Sequence, residues 1–152
     1  MKIIAVIPAR GGSKRIPKKN IIDFMGKPMI AWTIEAALKS KLFDRVIVST
    51  DDYEFASISK EYGCDVPFLR DSSADDLTPV SIATIRAVEQ AENYYNEEYD
   101  IVIQLMANAP LRNEVDIIQH YKNFVENQNT FQISSFKFGW MNPWWSFKLS
   151  NN

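Results

Sequence analysis

The stretch Ile7–Asn20, IPARGGSKRIPKKN, gathers the cations Arg10, Lys14, Arg15, Lys18 and Lys19 with no acid among them. It also holds the adjacent pair Gly11 and Gly12 and the prolines Pro8 and Pro17. These are the ingredients of an anion site. Glycine lets the backbone approach a ligand with no Cβ in the way, and successive amide N–H groups in such a turn form a concavity that suits an anion. Arginine adds planar, bidentate hydrogen bonds to phosphate oxygens, and lysine adds a mobile point charge. The spacing matches neither of two common phosphate loops. A Walker A loop needs G-x-x-x-x-G-K-[ST] and a dinucleotide fingerprint needs G-x-G-x-x-G, whereas these glycines are adjacent. Hydride transfer on a dinucleotide is therefore disfavoured. On composition alone a solvated basic turn remains open.

Asp51 and Asp52 are a second candidate, a carboxylate pair that could hold a metal. They also stand where the next helix begins, and aspartate is a good N-cap; the cap is the preferred reading. His120, the single histidine, lies mid-helix among polar neighbours and reads as a surface residue. Cys64, the single cysteine, reads as a small buried apolar side chain. No intrachain disulfide can form, which points to a reducing compartment.

The elements that must position these residues follow from hydrophobic periodicity. Lys2–Ile7 (KIIAVI), Asp44–Thr50 (DRVIVST) and Asp100–Leu105 (DIVIQL) are short apolar runs, expected as strands buried on both faces. Asp65–Leu69 is a short candidate confined to an edge by Pro67, and Gln132–Phe138 is a possible further strand. Helical spacing covers Pro28–Ser40, with Ile30, Ile34, Ala37 and Leu38 on one face. It recurs over Tyr53–Tyr62 before Gly63, over Pro79–Tyr95 with Ile82, Ile85, Val88 and Ala91, and over Glu114–Asn127. Strand and helix alternate, which predicts an α/β fold of three α/β/α layers around a mostly parallel sheet. Ligands of such sheets sit at the carboxyl ends of the strands near the switch in strand order. The basic loop directly follows the first strand, where a site is expected.

A chain of 152 residues with 46% apolar and 24% charged residues suits one globular domain with a substantial core. Its net charge of -2 argues against a general nucleic-acid binder. The N-terminal run is too short for a signal-peptide core, and no run suits a membrane span. A cytoplasmic protein without membrane or nucleic-acid partners is expected.

The loop, followed by GKPMIAWTIEAALKS, VIVSTDD and APLR, resembles the acylneuraminate cytidylyltransferase family, in that family's order from Met1 to about Leu149. The resemblance implies a Rossmann-like nucleotidyltransferase fold. It also implies a reaction in which an acidic nine-carbon 2-keto-3-deoxy sugar attacks the α-phosphorus of CTP and pyrophosphate leaves. On the matching positions, Arg10, Lys14 and Lys19 are the expected catalytic cations. Ala9, Gly11, Gly12, Ser13, Asn20, Arg70, Thr78, Ser81, Met106 and Asn108 are expected to join Arg10 around the nucleotide. Met106 departs from the pattern, standing where many members carry glutamine; Gln104 falls on the same side only if the strand continues regularly. Arg112 matches a family position that could equally brace the loop, and Arg15 and Lys18 are equally well read as solvated charges.

The family pattern continues beyond Leu149 with an aromatic-Arg-x-Asn-Gly stretch and an Asp-x-Asp-like motif that helps hold Mg²⁺. The resemblance thus implies a divalent cation whose ligands lie outside this sequence. It also implies a nucleotide-binding domain over 1–138 and the start of a dimerisation arm over 139–152. Trp140, Trp144 and Trp145 suit the interface of a homodimer. A chain that truly ended at Asn152 is expected to bind CTP weakly and turn over poorly, as a nucleotide-binding module.

Overall fold

The computed structural model describes residues 1–13, 16–70 and 79–135. The chain divides into two units, Met1–Gln119 and His120–Asn152. The first contains a parallel sheet of β1 (Ile3–Pro8), β4 (Arg45–Ser49) and β5 (Ile101–Gln104) in the order β4-β1-β5. Ile4 pairs with Arg45 on one side of β1 and with Val102 on the other. The chain runs from β1 to β4 and then crosses to the far side of β1 at β5. The strand order therefore reverses beside β1, with the basic loop at its carboxyl end.

Burial on both faces explains the unbroken apolar run of β1. Ala5 and Ile7 face α1 (Met29–Ser40) and α2 (Tyr53–Glu61) through Ile30, Ile34 and Phe55. Ile4 and Val6 face the opposite way, onto Ala87 and Ala91 of α3 (Val80–Tyr95). Period-two alternation thus feeds two cores, one per layer of helix. Ile117 of α4 (Glu114–Glu126) joins the first core. Asn113 starts α4 by accepting from the amides of Val115 and Asp116, while the Asp116 carboxylate accepts from the Asn113 amide at 2.9 Å. Among the described residues, no helix is long and apolar enough to cross a membrane.

Four expectations are corrected. On α3, Ala91 is buried as expected and Val88 packs partly against the same core, but the other buried positions are Ala83, Thr84 and Ala87, while Ile82 and Ile85 are exposed. Small side chains let α3 sit close over Ile4 and Val6, and the isoleucines flank the contact. On α1, Leu38 is exposed. The candidate strand over Asp65–Leu69 amounts to a single bridge from Asp65 to Ile47. Residues 132–135 have no regular structure, and the rest of that candidate strand lies outside the described residues. An unexpected hairpin of β2 (Asp23–Phe24) and β3 (Lys27–Pro28) turns at Met25 and Gly26, both at positive φ (55° and 88°). Such a turn favours asparagine, aspartate or glycine, so methionine hid it.

Cys64 is buried, and desolvation pushes its thiol well above the usual range. In the second unit, His120 is not a plain surface residue. Its Nε2 is buried and without a hydrogen-bond partner among the described residues, and its carbonyl accepts from Gln132 Nε2 at 2.8 Å.

The amino end of the sheet carries a charged network. Arg45 reaches the Glu97 carboxylate at 3.4 Å through two nitrogens and lies 4.1 Å over the Tyr95 ring. Lys2 Nζ and the Tyr99 hydroxyl meet the same carboxylate at 3.3 Å and 3.0 Å. Hydrogen bonding from Arg45, then from Tyr99, lowers the Glu97 pKa below its ordinary 4.5. A lowered folded-state value gives stability that is present above about pH 4.5 and lost as pH falls through the folded value. Replacing Arg45 with alanine should lower the Tm at pH 7 and shrink the fall in Tm between pH 7 and pH 4, read by circular dichroism melts.

Candidate nucleotide site

The site grows from the carboxyl end of β1. The buried Ala9 continues the ladder, its amide donating to the Ser49 carbonyl at 2.9 Å. The chain then turns against the β4–α2 junction. The Gly11 amide donates to Asp51 Oδ1 at 2.8 Å. A Cβ on Gly11 would lie 2.6 Å from Asp52 Oδ2 and 2.9 Å from Asp52 Cβ, so only glycine fits. Gly12 differs: a Cβ there would meet nothing within 4 Å, and its φ is not positive. Among the described residues, nothing requires glycine at position 12. The Ser13 amide donates back to the Gly11 carbonyl at 2.9 Å.

Beyond Lys14 and Arg15, which lie outside the described residues, Lys18 takes a left-handed conformation (φ 52°) and pairs with Glu54 on α2. A 3-10 turn over Lys19–Ile21 follows, with Asn20 buried and Lys19 partly exposed. Asp52 caps α2, accepting from the amides of Glu54 at 2.8 Å and Phe55 at 3.3 Å. The cap expected of Asp51 falls one residue later, on Asp52, and Asp51 serves the loop instead.

Arg70 enters from the segment after Asp65. Its amide donates to the Thr50 carbonyl at 2.7 Å, fixing it at the end of β4. Its side chain is half-buried, and among the described residues Nε has no hydrogen-bond partner. Desolvation lowers its pKa below the ordinary value; the Asp51 charge acts the other way, and the Arg10 charge adds a smaller lowering.

The far side is the end of β5. Gln104 Nε2 reaches Met106 Sδ at 3.5 Å, so both side chains lie on one side of the strand, and Gln104 Oε1 accepts from Thr84 Oγ1 of α3 at 2.7 Å. Met106 is 40% exposed, and Asn108 is exposed. The Met106 carbonyl accepts from Thr33 Oγ1 at 3.2 Å and from an Arg112 terminal nitrogen at 3.1 Å. Burial lowers the Arg112 pKa. Arg112 therefore braces the loop after β5. Replacing it with alanine should cost about 1.5–3 kcal/mol in urea denaturation, the range for a hydrogen bond to a charged group. CTP affinity should stay within about twofold, since the bond it loses lies behind the strand end.

Position by position, Ala9–Ser13 and Arg70 converge at the ends of β1 and β4, and Lys19 and Asn20 close the same loop. Met106 and Asn108 lie at the end of β5, across the point of strand reversal. Ser81 is exposed on the first turn of α3, and among the described residues no hydrogen bond ties it to the loop; Thr78 lies outside the described residues. Reading the sequence missed Asp51 as the loop's partner and Thr84 as the anchor of Gln104. Among the described residues, no group of three or more His, Cys, Asp or Glu side chains could hold a metal.

A parallel sheet with helices on both faces and a basic glycine loop at the switch point defines a nucleotidyltransferase fold. A synthetase of CMP:2-keto-3-deoxy-manno-octonic acid, solved with CTP, superposes with a TM-score of 0.68 at 29% identity, over 84% of this chain and 49% of that one. The chain belongs to the cytidylyltransferase family, whose model matches residues 4–141. The pseudaminic acid cytidylyltransferase of Campylobacter jejuni is 44% identical over 138 residues, 91% of this chain and 60% of that protein. The CMP-N,N'-diacetyllegionaminic acid synthase of Legionella pneumophila is 39% identical over 79% of this chain and 51% of that protein. The chain thus spans 60% or less of these two relatives' length.

Proposed function

We propose that the chain carries the nucleotide half of an enzyme that transfers CMP from CTP to an acidic nine-carbon 2-keto-3-deoxy sugar. The glycine loop at the carboxyl end of β1, where the strand order reverses, with Arg70 fixed at the end of β4, carries this reading. The sugar's anomeric hydroxyl oxygen forms a bond to the α-phosphorus as the bond from that phosphorus to the pyrophosphate oxygen breaks. The hydroxyl proton passes to water. Such transfers rest on positioning and on electrostatic stabilisation of charge that develops on the leaving group.

Arg10, Lys14 and Arg70 hold the triphosphate and spread the charge of the departing pyrophosphate. Ala9, Gly12 and Ser13 let it lie close to the backbone. Lys19 and Asn20 close the loop over the phosphates and ribose, Met106 and Asn108 flank the base, and Thr78 and Ser81 line the approach. A divalent cation, Mg²⁺, would add neutralising charge on the phosphates; Asp51 and Asp52 are committed to amides, so they are not assigned to it. We place the protein in the cytoplasm as a homodimer, with CTP and the sugar as partners. A local concentration of five basic residues in one loop, on a chain of net charge -2, favours a small phosphate over nucleic acid.

Among sugars, pseudaminic acid is the first choice, because the pseudaminic acid relative stands at 44% identity against 39% for the legionaminic one. The test is pyrophosphate release from CTP and Mg²⁺ with pseudaminic, legionaminic and N-acetylneuraminic acids in turn. Release that requires one of these acids supports the reading. CTP binding without release from any of them shifts it to a nucleotide-binding module.

A further inference from the structure

The two ends of the basic loop are held by one short segment, the junction of β4 and α2. At the front, Asp51 accepts from the Gly11 amide, and Asp52 packs against the Gly11 backbone so closely that a Cβ would overlap it. At the back, Glu54 pairs with Lys18. Between them, Asp52 caps α2 through the amides of Glu54 and Phe55, so the three acids are themselves fixed by the helix start. An acidic cluster beside a basic loop invites a metal reading, but each of these carboxylates is already engaged by a donor of the loop or of the helix.

We propose that Asp51 is a positioning residue for the phosphate loop. By accepting the Gly11 amide it turns the chain so that Gly12, and not Gly11, faces the phosphates. This inference rests on the nucleotide reading above. The role lies in the acceptor oxygen more than in the charge. Asparagine at 51 keeps an oxygen in the same place and alanine does not. Glu54 is the weaker end of the clasp, because its pair with Lys18 is exposed and screened by salt.

The test is CTP titration of the wild-type chain, Asp51→Ala and Asp51→Asn by calorimetry, with amide hydrogen exchange at Gly11 read in each by NMR. Asp51→Ala should raise the Kd for CTP by about tenfold, the effect of one lost positioning hydrogen bond. It should also speed Gly11 exchange while leaving the amides of β1 protected, so that global unfolding is excluded. Asp51→Asn should restore both to near wild type. Wild-type binding of CTP with unchanged affinity in Asp51→Ala overturns the positioning role and leaves the nucleotide reading standing. Equal losses in Asp51→Asn and Asp51→Ala overturn it in favour of the charge. A wild-type chain that does not bind CTP overturns the nucleotide reading and this inference with it.

Discussion

Replacing Arg70 with methionine should weaken CTP binding by about ten- to a hundredfold, the span of a charge-assisted hydrogen bond worth about 1.5–3 kcal/mol. The same change should leave the Tm unchanged or raise it. The Arg70 guanidinium is desolvated and its Nε has no hydrogen-bond partner among the described residues, costs that its attraction to Asp51 offsets only in part, since its pKa is still lowered. A methionine of similar length fills the space without those costs. Asp51 loses a nearby positive charge but keeps the Gly11 amide, so no carboxylate is stranded. Opposite movements of affinity and stability mark a residue kept for its ligand. A loss of both together would make Arg70 a structural arginine. Calorimetric titration with CTP beside thermal melts separates the two.

The second large effect divides the adjacent glycines. Gly11→Ala should destabilise the chain by about 1–3 kcal/mol, as overpacking does, and weaken the α2 cap as Asp52 moves away. The overlap at 2.6 Å falls on a carboxylate that is bonded to two amides, so it cannot swing aside freely. Gly12→Ala should leave the Tm within about 0.5 kcal/mol of wild type, as for a surface change with no overlap, and still lower CTP affinity about tenfold or more by crowding the phosphates. Urea denaturation and CTP titration of the pair give the four values needed. Equal stabilities for the two variants would contradict the division of roles.

The central strand and the loop after it were legible because both signals are local. Ile3–Ile7 is an unbroken apolar run ending at Pro8, and two adjacent glycines among cations can be read without any partner. The inward face of α3 was not legible, because periodicity finds a stripe and cannot say how close the sheet will come. Ala83, Ala87 and Ala91 won that face over Ile82 and Ile85 for their size. The hairpin at Met25 and Gly26 escaped because only one of its two positive-φ residues is a turn former. Asp51 was visible as an acid, but its tie to Gly11 spans forty residues and depends on β1 and β4 lying side by side. The placing of Arg70 at the end of β4, through its amide on the Thr50 carbonyl, is of the same kind. Arg70 was singled out through family resemblance, and its desolvation beside Arg10 emerged only with the fold. Local chemistry was therefore readable in sequence, and pairings across strands were not.

The most direct measurement is calorimetric titration of the chain with CTP, UTP and ATP at fixed ionic strength. A cytidylyltransferase site predicts saturable binding of one CTP per chain, tighter than either competitor. No binding of CTP, or equal binding of all three that fades alike with added salt, would contradict the account and leave the loop a general cationic surface.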